Sequence, residues 1–257
     1  EGDDRVHTLA HEALWGDHPL GREVLGSLAS IDGLGTDAIA GFFERRYAPA
    51  NIVLVAAGAV DHDQVVAAGR RFGARRDHED GGRRAPAGGP AAPLALVRRP
   101  MEQAHLAIVW PGLANDDADR YALAIANQIF GGGLSSRLFQ EIREERGLAY
   151  SVFSSTASYQ DAGSLVAYAG TGPERAAEVR RVVADQAAAM AADGVSEREW
   201  AVARGYLEGA TLLGLEDSTS VMARLGGHVC ARDRVVPIDE QVARLRAVTP
   251  EDVHRVA

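Results

Sequence analysis

The sequence predicts an α+β fold in two parts, on three observations. Short β-branched and apolar runs stand beside longer segments of helical period, strands come first and long helices then cover them without strict βα alternation, and one polar stretch interrupts the pattern. With 257 residues, 46% of them hydrophobic, the chain has enough apolar material for a sizeable core and is not disordered. The sheet is expected to be mixed and packed by helices.

The elements follow in order. Val6 to Trp15 puts apolar groups on a helical period that Gly16-Asp17-His18-Pro19 ends. Thr36-Asp37 can cap a helix that carries Ile39, Phe42 and Phe43 toward a core. The run Asn51 to Gly58 is too short for a typical helix and reads as a buried strand, after which Asp61 opens a helix through Val65, Val66 and Phe72. From Gly73 to Pro93 the apolar pattern vanishes, as it does in a linker. Leu94 to Val97 and His105 to Trp110 are strand-like, Asp116 to Phe130 is helical, and Gly131-Gly132-Gly133 stops it. Leu134, Leu138, Phe139 and Ile142 form one helical stripe that Gly147 can close in a left-handed turn. Strands at Tyr150 to Phe153 and Ser164 to Ala169 come next. Helices starting at Gly172-Pro173-Glu174 and at Ser196-Glu197-Arg198-Glu199 follow, the second with the look of a capping box. Thr249 with Pro250 starts a last helix, and a chain that begins with Glu1 rather than Met reads as a piece of a longer polypeptide.

Charge and composition narrow the chemistry. With 27 Lys and Arg against 36 Asp and Glu, the net charge of −9 disfavours nucleic acid and anionic membrane as partners. No apolar run reaches the roughly 20 residues that span a bilayer, so no membrane insertion is expected and the location is expected to be cytoplasmic. The lone Cys230 cannot form an internal disulfide and reads as a small buried apolar residue.

His7 and His11, four apart, share a helix face as a metal-binding pair does. The neighbouring letters do not fit: Thr8 stands where H-E-x-x-H needs Glu, Ala10 stands where H-x-x-E-H needs it, and a third ligand is not identified. Gly131 to Ser136 lacks the Lys of a phosphate-binding loop and follows a helix rather than a strand. It reads as a sharp turn, or as a backbone site for an extended peptide. The segment from Ser135 to Tyr150 is an amphipathic helix with solvated charges leading into a strand. It can also bring the Arg143 fork and the Tyr150 hydroxyl beside a peptide carbonyl.

At these residues the sequence resembles the M16 metallopeptidases, the pitrilysin-like inverzincins that include mitochondrial processing peptidase. The signature is Phe130-Gly131-Gly132-Gly133-Leu134-Ser135-Ser136-Arg137-Leu138-Phe139 running into Arg143-Glu144-Glu145-Arg146-Gly147-Leu148-Ala149-Tyr150-Ser151-Val152. Asp17 to Arg22, Tyr47 to Asn51, Gly58 to Asp61 and Val248 to Val253 extend the likeness over the chain.

The resemblance implies the LuxS/MPP-like metallohydrolase architecture, with two related domains closing on a peptide and the first of them incomplete here. Residues 1–75 would be the end of the first domain, 76–93 the linker and 94–257 the second domain. It implies that Arg143 and Tyr150 hold substrate and stabilise the oxyanion, and that Gly131, Gly132 and Gly133 contact substrate. Zinc is implied for the complete enzyme, but H-x-x-E-H has no match in this sequence, so no metal is assigned to this chain. The expected partners are a peptide or unfolded protein substrate and a zinc-bearing M16 domain or homologous subunit. The expected function is the C-terminal portion of a zinc peptidase, inactive alone. A noncatalytic M16-like scaffold is the alternative, and a simple peptide-binding module is a third reading.

Overall fold

The computed structural model describes residues 2–71 and 88–257. The chain divides into two compact units, each discontinuous in sequence: 1–22, 86–209 and 238–257 form one, and 23–85 and 210–237 the other. Of the linker expected at 76–93, residues 76–87 lie outside the described residues, as does the predicted helix continuation to Phe72.

The first unit is built on a three-stranded sheet of β1 (Ala104–Gly112), β2 (Ala149–Ser158) and β3 (Gly163–Thr171), in the order β1-β3-β2. The α+β class is the one found. Within the described residues the sheet is wholly antiparallel rather than mixed, because β1 and β2 both run against β3. Side chains alternate across a strand. Leu106, Ile108 and Trp110 of β1 therefore share a face with Ala167 and Ala169 of β3 and Val152 of β2, in the register Ile108↔Ala167 and Val152↔Ala169.

Against that face pack Ile125, Ile129 and Phe130 of α5 (Arg120–Phe130), Val179, Val182 and Val183 of α6 (Ala176–Asp193), and Val253 of α9 (Pro250–Val256). Trp110 meets the Phe130 ring edge-on at 5.9 Å. The other face carries Tyr168 and Phe153, and His7 of α1 (Gly2–Trp15) stacks on them at 5.3 and 6.4 Å. Thr249 caps the last helix with Pro250 at the first helical position, as the sequence predicts, and Asp252 completes a capping box.

The second unit contains α2 (Leu28–Asp32), α3 (Thr36–Arg46), α4 (His62–Arg70) and α8 (Ser218–Arg232), along with the last turn of α7 (Glu197–Leu213). Here several expectations are corrected. Ile39, Phe42 and Phe43 do not enter a core: they are exposed, and the two phenylalanines turn to Tyr47, with Phe43 stacked on it at 4.8 Å. Gly35 rather than Thr36 precedes the helix at the cap position. The run Ile52 to Ala57 pairs with no strand among the described residues, and Ile52, Val53 and Leu54 are exposed. Leu94 to Val97, in the first unit, likewise remains unpaired and exposed. Such runs become strands only when a neighbour takes their N–H and C=O groups. Cys230 is exposed rather than buried.

Candidate functional site

α5 runs out at Phe130, and the amides of Gly131 and Gly132 both donate to the Asn127 carbonyl. The Gly131 carbonyl then accepts from the Ser154 amide of β2 at 2.9 Å, and the Ser154 hydroxyl lies 2.8 Å from Asn127 Oδ1. A Cβ on Gly131 would stand 2.6 Å from the Ser154 nitrogen, and one on Gly132 would stand 2.8 Å from the Cα of Gln128. Both glycines are thus required by close backbone packing. The turn that sequence reading marked for substrate is tied to the sheet, and the Gly131 carbonyl is already spent.

The next segment departs from an ordinary α-helix. Leu138 and Ile142 are wholly buried, as the predicted stripe requires, but Leu134 is exposed, and Phe139–Glu145 is a π-helix. Wide turns of this kind are frequent at functional sites. The segment closes through Gly147 in the left-handed region (φ 58°) and a bond from the Leu148 amide to the Ile142 carbonyl at 2.8 Å. Arg175 donates to the Gly147 carbonyl, and the buried Thr171 hydroxyl donates to that of Leu148 at 2.6 Å. The loop is pinned on both sides.

β2 begins with a second irregularity. Ala149 pairs with Thr171 and Ser151 with Gly170, so Tyr150 is the extra residue of a β-bulge. A bulge re-aims the side chain it carries, and Tyr150 is 81% exposed.

The π-helix and the bulge together bring Arg143 and Tyr150 into contact. The guanidinium carbon lies 4.6 Å from the centre of the Tyr150 ring and 4.8 Å from that of Phe139, and the Arg143 Nε is 3.7 Å from a Glu144 oxygen. Among the described residues, neither the guanidinium of Arg143 nor the hydroxyl of Tyr150 has a hydrogen-bond partner. Together they offer a forked cation and a phenol at one exposed corner, a donor set suited to a carbonyl or an oxyanion.

Gly131 joins β2 at Ser154, four residues along from Tyr150, a separation of about 13 Å at a strand's rise per residue. The glycine turn and the Arg143–Tyr150 corner are therefore served by the same strand. What sequence reading missed is Phe139, which it assigned to an apolar stripe. The signal was the four-residue spacing between Phe139 and Arg143, which brings side chains together on a helix.

Zinc does not fit the donor set at hand. Among the described residues no group of three or more His, Cys, Asp or Glu side chains is arranged to hold a metal. His7 is engaged by the Tyr168 and Phe153 rings. Burial, helped by the neighbouring His7, lowers the pKa of His11. The nearby His105 Nδ1 lies 2.9 Å from the Tyr168 hydroxyl, so this cluster forms a packed seam between α1 and the sheet. No helix among the described residues is long and apolar enough to cross a membrane.

Known proteins resemble this chain along its length. A family model described as "Peptidase M16 inactive domain" matches residues 34–207, more than half of the chain. An uncharacterized zinc protease of Mycobacterium tuberculosis is 43% identical over 99% of this chain and 59% of its own length. One of Streptomyces coelicolor is 40% identical over 99% of this chain and 57% of its own. The chain thus spans less than two thirds of these relatives. A crystal structure of a peptidase M16 inactive domain from Pseudomonas fluorescens superposes with a TM-score of 0.84 at 23% identity, covering 99% of this chain and 62% of that one. That likeness establishes the shared fold. The family match, over more than half of the chain, shows that the chain belongs to the peptidase M16 family.

Proposed function

We propose that the chain is the C-terminal portion of an M16 zinc peptidase and supplies donors that hold the substrate peptide and stabilise the oxyanion of its hydrolysis. Arg143 and Tyr150 carry that role, and the zinc site is contributed by another stretch of polypeptide, in the same chain or in a partner subunit. The observation that carries the reading is the contact between these two side chains, neither donor group hydrogen-bonded among the described residues, at a corner built from two backbone irregularities.

The chemistry assigned to the chain's own residues is limited. The guanidinium can donate two parallel bonds, and the phenol adds a third donor. Aimed where charge develops on a peptide carbonyl, such donors lower the barrier by about 3 kcal/mol each. Gly132 and Gly133 are assigned a smaller part, backbone contact with an extended peptide, and Gly131 is assigned the support of that turn. On this reading residues 1–75 are the end of the zinc-bearing domain, 76–93 the linker and 94–257 the donor domain, and the protein works in the cytoplasm on peptide or unfolded protein.

The exposed apolar residues of the second unit support the need for more polypeptide. Among its described residues only Ala48 and Val236 are buried. Isolated chain given zinc should leave a quenched fluorescent peptide intact. The same chain joined to a zinc-bearing M16 segment, fused or co-expressed, should cleave it. Robust cleavage by the isolated chain with zinc would overturn the proposal.

A further inference from the structure

We infer that Phe139 is a positioning residue for Arg143, holding the guanidinium through its ring so that the N–H donors stay free for substrate. The inference rests on the function proposed above and adds a residue to it.

An arginine that serves as a donor has to be fixed without being used up. Hydrogen bonds or a close ion pair would fix it but would occupy the N–H groups that substrate needs. A ring attracts the cation through its quadrupole and takes up no hydrogen-bond donor. The Arg143 guanidinium carbon sits 4.8 Å from the Phe139 centroid and 4.6 Å from that of Tyr150, while its one ion-pair contact among the described residues, to Glu144, is long at 3.7 Å.

The two rings are not equivalent. Tyr150 is 81% exposed and would itself turn toward substrate, so it makes a poor anchor. Phe139 is half-buried, lies next to the fully buried Leu138, and belongs to the same π-helix as Arg143 and Ile142. It is the fixed member of the stack. Loss of its ring frees the long arginine side chain to sample several rotamers, which costs turnover if the productive one becomes rare.

The test compares Phe139→Leu, Phe139→Met, Phe139→Trp and Arg143→Ala in the assembly that contains the zinc-bearing segment. Leucine and methionine should lower kcat about tenfold with KM little changed, because the donors act in the transition state, and tryptophan should restore most of the loss. In the isolated chain, the Arg143 side-chain Nε–H resonance should shift in the leucine and methionine variants and stay ring-shifted with tryptophan. Wild-type kcat and an unmoved resonance in the leucine and methionine variants, beside an inactive Arg143→Ala, would overturn the role of Phe139 and leave the proposed function standing. Full turnover by Arg143→Ala would remove both.

Discussion

Two arginines six residues apart on one segment are used in opposite ways. Arg137 spends its donors inside the protein: Nε and Nη2 reach the two Glu199 oxygens at 2.6 and 3.0 Å, and Nη2 also donates to the Gly194 carbonyl at 3.0 Å. Glu199 in turn accepts from the amide and hydroxyl of Ser196, the capping box that opens α7. Arg143 makes no such bonds among the described residues and leans on two rings. Composition does not separate the two. The difference lies in what surrounds each guanidinium: a fork bonded at Nε and Nη2 locks an element in position, and one without such bonds on a rigid support is ready for a ligand.

The contrast is sharpened by breaking the structural side first. Arg137→Ala leaves a partly buried carboxylate without its main partner and should cost about 2 kcal/mol of stability, measured by denaturant unfolding of the isolated chain. The pair also has a pH signature. The hydrogen bonds from Arg137, followed by those from Ser196, hold the Glu199 carboxyl down at about 2, against 4.5 for an unperturbed group. Its folded value is depressed, so its contribution is complete above pH 4.5 and is lost as pH falls from there toward 2. Thermal melts at pH 6 and pH 3 should differ more for wild type than for Glu199→Gln.

A smaller effect is expected at the turn between Arg143 and Tyr150. Gly147 sits at φ 58° with open space around the position of a Cβ. Gly147→Ala should therefore cost about 1 kcal/mol through backbone conformation alone, and Gly147→Asn less. A loss of several kcal/mol for alanine would mean that the turn is held by packing and not by conformation.

Legibility from sequence followed the range of the interactions. Period and capping found α5, the helix at α6, β3 and the Ser196 and Thr249 caps, because those signals are local. The stripe through Leu138 and Ile142 was legible, but its π-helical winding was not, since the same spacing serves both helices. The bulge at Tyr150 comes from pairing with β3, which no local pattern encodes. The errors gather in the second unit, where Ile39, Phe42, Phe43 and the run from Ile52 were expected to be buried and are exposed. Those assignments described what the residues favour, and burial needs a partner surface that the described residues do not provide.

The most direct measurement is peptide turnover by Arg143→Ala and Tyr150→Phe in the complete zinc-containing assembly, with subunit association and melting temperature followed in parallel. kcat/KM should fall about 10²–10³-fold for each variant, the size of a lost oxyanion donor, with association and melting unchanged. Turnover equal to wild type in both variants would contradict the proposal and favour a chain that only builds the scaffold.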